Sequence, residues 1–350
     1  MRVLVAMSGG VDSSVAAARL IEAGHEVVGV TMKLWGGESD TGCCSVSDVD
    51  DARRVAQQLG IPHHTWSFTE DFERHVVGPY VEAHRTGRTP NPCIECNRHL
   101  KFERLLGRVD AVGFDAVATG HHARIVRRPD GTRRLARGAD ARKDQSYVLY
   151  VMGQDQLART LLPVGDMTKD AVRAEATARG LRTADKPDSQ DVCFVTSVAG
   201  RRGFLGDRIP LRPGRVLEAA DCREVGRVDA VELVTIGQRR RLGLAGGGAP
   251  RYVVDVDVPG ATVLVGGEDD LLATGVTLEQ VVWADGPVRG RVGAQCSAHG
   301  DPRPARVAPG GEATAVVTFD DRQRRVAVGQ SVVLYEGDEV VGGGVATPRS

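Results

Sequence analysis

The sequence predicts an α/β domain built on a parallel sheet, followed by two small β-barrel domains. Three observations carry this. Val-rich, strand-sized runs alternate with helical patterns over about the first 200 residues, a Gly-rich turn joins the first strand to the first helix, and from Arg201 onward short strands punctuated by Gly and Pro dominate. Strands spaced by helices of this length imply parallel pairing with both sheet faces covered. Closely spaced short strands with frequent turns indicate small barrels.

Arg2 to Met7 is a short apolar run, read as a strand, and a helical pattern follows from Ser13 to Ala23. Gly24 is the natural C′ residue of that helix, because it adopts the left-handed conformation without steric cost. His25 to Lys33 reads as the second strand. Ser47 or Asp48 caps a helix through Leu59, stopped by Gly60 and Pro62. His63 to Phe68 is strand-like, and Thr69 opens a helix with acidic residues in its first turn, where the helix dipole favours them. The loop Thr89-Pro90-Asn91-Pro92 precedes a helix near Asn97–Val109, then a strand over Asp115–Thr119 and a helix from Thr168 to Arg179 ending at Gly180. Short Val-rich strands follow at 214–216, 252–256, 263–265, 315–319 and 332–335, so the expected domains are 1–199, 200–277 and 278–350.

The 350 residues carry 45 Lys and Arg against 46 Asp and Glu, so no global positive field draws nucleic acid to the chain. Its longest apolar stretches fall far short of the roughly 18 residues a membrane span needs. The first strand runs into a Gly-rich turn instead of a signal-peptide cleavage site, so a soluble, cytoplasmic protein is expected. Locally, eight Arg and Lys lie between His121 and Lys143 against Asp130 and Asp140, a net of +6. That run reads either as a solvated hairpin or as an RNA surface. Seven cysteines, at 43, 44, 93, 96, 193, 222 and 296, are an odd number without a secretory context and do not form a disulfide framework. Cys93-x-x-Cys96 lacks the second spaced pair of a zinc ribbon, so no metal site is expected and reactive thiol chemistry is. Cys43, Cys44, Cys222 and Cys296 read as inert packing residues.

The segment Ser8-Gly9-Gly10-Val11-Asp12-Ser13 lies between strand and helix, where backbone N–H groups and the helix N-terminus favour a phosphate. It lacks the Walker lysine and the G-x-G-x-x-G spacing. Asp12 beside a phosphate calls for a cation. This segment resembles the pyrophosphate loop of the N-type ATP pyrophosphatases, which cleave ATP between the α and β phosphates and adenylate an oxygen. Further motifs narrow the resemblance to the tRNA-specific 2-thiouridylases. They are Thr89-Pro90-Asn91-Pro92-Cys93-Ile94-Glu95-Cys96-Asn97, Thr119-Gly120-His121-His122, Lys143-Asp144-Gln145-Ser146-Tyr147, Lys186-Pro187-Asp188-Ser189-Gln190-Asp191-Val192-Cys193-Phe194 and Thr235-Ile236-Gly237-Gln238-Arg239-Arg240, in family order along nearly the whole chain.

The resemblance implies an ATP-pyrophosphatase domain with ATP held by Ala6, Met7, Ser8, Gly9, Gly10, Val11, Asp12, Ser13, Met32 and Gly120, and Mg²⁺ as the expected ion. It implies tRNA contacts at Asn91, Pro92, Cys93, His121, Lys143, Asp144, Gln145 and Gln330. Cys93 stands where some members carry Asp, and Gln295-Cys296-Ser297-Ala298-His299-Gly300 stands where relatives tend to carry an Arg-rich tRNA contact. The implied chemistry is ATP-dependent 2-thiolation of the wobble uridine. ATP adenylates the C2 oxygen, turning a poor leaving group into AMP. Cys193, loaded as a persulfide by a sulfur-relay or cysteine desulfurase protein, then delivers sulfur. Cys96 is its partner cysteine, and a transient Cys96–Cys193 disulfide remains to be reduced. Two other readings stay open: a tRNA thiolase with an iron–sulfur cluster on Cys93, Cys96 and Cys193, and a non-catalytic tRNA-binding protein with a relict nucleotide fold.

Overall fold

A computed structural model describes residues 1–35, 46–188, 192–195, 200–245, 248–311 and 313–348. Its first layer is a parallel sheet of β1 (Arg2–Ala6), β2 (Glu26–Lys33), β3 (His63–Ser67), β4 (Ala116–Thr119) and β7 (Thr160–Leu161), in the order β3-β2-β1-β4-β7. β1 and β2 are apolar nearly throughout, as befits strands covered on both faces. Helices α1 (Val11–Glu22) and α2 (Val46–Leu59) cover one face, with Val15, Ala16, Val55 and Ala56 buried against Val3 and Val5. On the other face, helical segments Thr69–Phe72, Glu73–Val77 and Gly78–Arg85 follow one another without a break, as do Pro92–Glu95, Cys96–Leu105 and Leu106–Ala111.

α1 starts at Val11, two residues ahead of the expected Ser13. Gly10 occupies the cap position without a capping side chain, and the hydroxyls of Ser13 and Ser14 donate back to its carbonyl at 3.1 and 2.9 Å. The glycines therefore belong to the strand-to-helix turn itself.

Beyond residue 200 lie two β units. β8 (Gly214–Glu218), β9 (Glu224–Val228), β10 (Tyr252–Asp257) and β11 (Thr262–Gly266) form a sheet of order β10-β11-β8-β9 around Val216, Val253 and Val263. The second unit contains β12 (Leu272–Trp283), β13 (Gly290–Gln295), β14 (Arg303–Pro309), β15 (Ala315–Arg324), β16 (Ser331–Glu336) and β17 (Glu339–Ala346). These run antiparallel in the order β12-β15-β14-β13-β16-β17, and β12 pairs back with β17 to close a six-stranded barrel. β12 passes through residues 277 and 278, so the expected boundary falls inside one strand.

The basic stretch is a hairpin, β5 (Ala123–Arg127) and β6 (Arg133–Arg137), and β6 pairs with β17 through Ala136 and Glu339. Val333, Tyr335 and Val340 of the barrel share a core with Leu135, Tyr147 and Leu149. The barrel is thus welded onto the α/β domain.

Candidate active site

The Ser8–Ser13 loop leaves the carboxyl end of β1 beside the end of β4, where the strand order of the sheet reverses. Such switch points open a crevice for ligands. Two glycines make the crevice possible. Gly9 has φ +73°, and a Cβ there would lie 2.2 Å from the Asp48 carbonyl oxygen. A Cβ on Gly120, at the end of β4, would lie 2.5 Å from the Ser13 nitrogen. The Ser8 N–H donates to Ser13 Oγ at 3.3 Å, and Thr31 Oγ1 lies 2.8 Å from the Met7 carbonyl, so the loop is pinned from both sides. The resulting cleft holds about 330 Å³.

Its electrostatics centre on Asp12. Lys169 Nζ donates to both carboxylate oxygens at 2.8 and 2.7 Å, and His122 Nε2 lies 3.0 Å from Oδ1. Lys169 also reaches Asp188 at 2.8 Å, and Asp188 takes Lys143 at 2.7 Å and Arg173 at 2.8 Å. Burial pushes both carboxyls up, but the bonded cations outweigh it and hold each below its ordinary value. The cation that Asp12 calls for is therefore a side chain, Lys169, at the N-terminus of the helix Lys169–Ala178. Among the described residues no three His, Cys, Asp or Glu side chains are gathered as metal ligands.

His121 is buried between Lys101 and Thr119. An ammonium only donates, so Lys101 Nζ at 3.2 Å makes Nε2 an acceptor, and Nδ1–H donates to Thr119 Oγ1 at 2.6 Å. Burial first, then the charge of Lys101 and the neighbouring His122, holds its pKa well below the ordinary value. His121 is a neutral imidazole at pH 7.

Of the residues expected to bind nucleotide, Ala6, Met7, Ser8, Gly10, Val11, Asp12, Ser13, Met32 and Gly120 line this cleft, while Gly9 supports it from behind. His121, Lys143 and Gln145, expected at tRNA, line it too. Asp144 is turned inward, accepting from Arg137 at 2.7 Å, the Ser146 hydroxyl at 2.8 Å and two backbone N–H groups at 3.0 Å. Asn91 accepts from the Cys93 N–H at 3.1 Å, Pro92 is buried and Cys93 is exposed. Gln330 sits in the turn before β16. The neighbouring Val328 carbonyl accepts from Thr89 N–H at 2.8 Å, which brings that turn against the loop that leads into the helical segment Pro92–Glu95. Cys96 and Cys193 both pack against the core cluster that contains Val30, Met32 and Leu34, which also line the cleft. Among the described residues no disulfide joins Cys96 and Cys193.

The RNA-surface reading of the basic hairpin is corrected at its centre. Arg134 is buried and chelates Asp285 at 3.0 Å, Arg128 reaches Asp285 at 3.5 Å, and Arg137 binds Asp144 and Gln295 over the Tyr335 ring. These charges hold the barrel to the α/β domain. Cys296 packs against the barrel core, where burial pushes its thiol up to about 11, in keeping with an inert role. Cys222 is exposed, and Cys43 and Cys44 lie outside the described residues. Lys169 lies outside the motifs read from the sequence, and Lys101, His122 and Lys186 lie in or beside them with no individual role assigned. For the three lysines, the signal that could have found them is the scarcity of lysine in the chain.

Three family models match in order: a tRNA methyl transferase HUP domain over residues 1–197, a tRNA methyl transferase PRC-barrel domain over 202–267 and an aminomethyltransferase beta-barrel domain over 273–346. The tRNA-specific 2-thiouridylase MnmA of Roseiflexus sp. (strain RS-1) is 47% identical over 373 residues, covering 98% of each chain. That of Mycobacteroides abscessus is 49% identical over 362 residues, covering 99% of each. Among solved structures, a 4-thiouridine synthetase in complex with RNA and ATP aligns at 19% identity and a TM-score of 0.37, over 55% of this chain and 44% of that one.

Proposed function

The chain belongs to the tRNA-specific 2-thiouridylases, and from that premise we propose how its cleft and thiols carry out ATP-dependent 2-thiolation of the wobble uridine. The carrying observation is that the nucleotide-type cleft and both Cys96 and Cys193 rest on one core cluster. ATP lies with its phosphates on the Ser8–Ser13 loop, where backbone N–H groups and the start of α1 favour negative charge. The flipped uridine enters beside neutral His121, with Lys143 and Gln145 at the rim. Its C2 oxygen attacks the α phosphorus, the bond to the bridging oxygen breaks, and pyrophosphate leaves with the electron pair.

The terminal sulfur of a Cys193 persulfide then bonds to C2 and AMP departs. Cys96 attacks the remaining Cys193 sulfur, freeing the thiocarbonyl and leaving a transient Cys96–Cys193 disulfide for an external reductant. The persulfide comes from a sulfur-relay or desulfurase protein. Asn91, Cys93 and Gln330, on segments brought together by the Thr89–Val328 hydrogen bond with Pro92 packed beneath, form a second tRNA surface reaching from the α/β domain to the barrel. Any Mg²⁺ arrives on the phosphates of ATP, since Asp12 is already paired with Lys169. No helix among the described residues is long and apolar enough to cross a membrane.

The test is nucleoside mass spectrometry of tRNA incubated with the protein, ATP, Mg²⁺ and a persulfide donor, with nucleotide products quantified alongside. One 2-thiouridine per AMP and pyrophosphate is expected. Stoichiometric ADP and phosphate would overturn the adenylation chemistry, and unmodified tRNA would overturn the activity.

A further inference from the structure

Five of the 45 basic side chains are lysine, at 33, 101, 143, 169 and 186, and the rest are arginine. Four of the five line the cleft, and among the described residues no arginine does. The chemistry of the two cations explains why this matters. A guanidinium is a rigid fork suited to one planar partner, whereas an ammonium is a compact point charge whose three donors re-aim readily. A chain that uses arginine nearly everywhere else has placed around this cleft the cations best able to exchange partners.

Lys169 has the geometry of such an exchange. Its side chain is 8% exposed, and its three donors face Asp12 Oδ1 and Oδ2 at 2.8 and 2.7 Å and Asp188 Oδ1 at 2.8 Å. Carboxylate and phosphate oxygens are alike in charge and in the hydrogen bonds they accept from an ammonium. Asp12 is also held by His122, inside the pyrophosphate loop. Asp188 has a separate cation, since Arg173 Nη2 lies 2.8 Å from Oδ1, and Arg173 is anchored by the carbonyls of Ala184 and Lys186 at 2.7 and 3.0 Å. Asp188 can therefore give up Lys169 without being left unpaired in a partly buried site.

We propose that Lys169 binds the β- and γ-phosphates of ATP and that Asp188 is a placeholder anion competing with them for the same ammonium. This rests on the reading of the cleft as an ATP site and adds to it the residue that receives the leaving pyrophosphate. Asp12 stays on Lys169 throughout, so the exchange replaces one anion by another and keeps a carboxylate tolerable beside the phosphates. As the bond to the α phosphorus breaks, charge grows on the pyrophosphate, and Lys169 is a preorganised donor at that point. Asp188 also restrains Lys143 at 2.7 Å, so its carboxylate holds two of the four cleft lysines back.

The placeholder role predicts a sign that a structural role does not. Full-length wild type, Lys169→Met, Lys169→Arg and Asp188→Asn are titrated calorimetrically with inorganic pyrophosphate and, separately, with AMP. Lys169→Met is expected to weaken pyrophosphate binding on the order of 10–100-fold, the value of a lost charge-assisted hydrogen bond, with AMP affinity unchanged. Lys169→Arg also weakens pyrophosphate despite keeping the charge. Asp188→Asn, nearly isosteric, tightens pyrophosphate binding. Tighter binding by Asp188→Asn supports the proposal; weaker or unchanged binding overturns it, as does equal loss of AMP and pyrophosphate affinity in Lys169→Met. Thermal melts identify a variant that fails to fold, and the near-isosteric Asp188→Asn decides if Lys169→Met does. Wild-type thiolation, assayed in parallel, reports separately on the ATP-dependent activity: its failure with pyrophosphate binding intact would strike the function and leave the anion site standing.

Discussion

At the scale of single residues, Asp12 and the thiols invite the sharpest tests. Asp12 and Asp188 are held below the ordinary carboxylate value, because hydrogen bonds from the surrounding side chains, Lys169 on both, outweigh the cost of burial. The unfolded chain therefore binds more protons than the folded one in acid, so these groups stabilise the fold above about pH 4 and that contribution is lost as pH falls through their folded values. Urea unfolding of wild type between about pH 5 and 2 is expected to show falling stability, with a shallower fall in Asp12→Asn. An identical slope in the variant would show that Asp12 is not among the groups responsible. For the thiols, Cys96→Ser and Cys193→Ser are each expected to abolish 2-thiouridine formation. Cys93→Ser is expected to retain substantial activity, because Cys93 is exposed and stands where some members of the family carry Asp. Inactivity of all three variants, with iron in the wild type, would replace the persulfide route by a cluster.

At the scale of elements, the turn after β4 and the β5–β6 hairpin do different work from what their composition suggests. Gly120 exists because α1 begins directly behind it. A methyl group 2.5 Å from the Ser13 nitrogen meets backbone and cannot be turned aside. Gly120→Ala is expected to cost about 1–3 kcal/mol, the usual range for overpacking, and to raise the KM for ATP by displacing the loop. Unchanged stability and KM would mean that the two turns separate freely. Arg134 looks like one more solvated arginine but has a side chain only 6% exposed, bonded to Asp285. Arg134→Ala leaves Asp285 with Arg128 at 3.5 Å as its remaining cation, so the expected cost is about 1.5–3 kcal/mol, that of a charged hydrogen bond. Denaturant melts check the stability, and the salt dependence of tRNA binding checks the rest. If Arg134 is a strut, that dependence stays as in wild type.

At the scale of the whole molecule, the closed barrel and the α/β domain share one core. Tyr147 Oη donates to the Ser331 carbonyl at 2.7 Å, the hydroxyls of Ser146 and Tyr335 lie 3.0 Å apart, and Tyr335 is almost fully buried between the two units. The segment carrying Lys143 and Gln145 is thereby oriented from the barrel side, through Arg137 and Asp144. Tyr335→Ala is expected to destabilise by about 3–5 kcal/mol, as for other buried aromatics, and to split one cooperative calorimetric transition into two. A single transition at an unchanged temperature would show that the shared core contributes little coupling.

The sequence by itself determined the alternation of strands and helices, the change to short strands after residue 200, and the pyrophosphate-type loop, because these are local: periodicity, turn chemistry and glycine spacing act within a few residues. It also placed Cys96 and Cys193 in distinctive motifs, though Cys96 opens the helical segment Cys96–Leu105 and is not in a loop. Tertiary structure alone decided which charges meet. Asp12 and Lys169 are 157 residues apart, and Arg134 and Asp285 are 151 apart, and no local pattern marks either pair. The same holds for Asp144, expected at tRNA and seen here accepting four hydrogen bonds beneath the barrel. A charged side chain is written the same way whether it faces water, a phosphate or a buried partner. Burial and distance choose among these, and both are set only when distant strands close the sheet and the barrel around it.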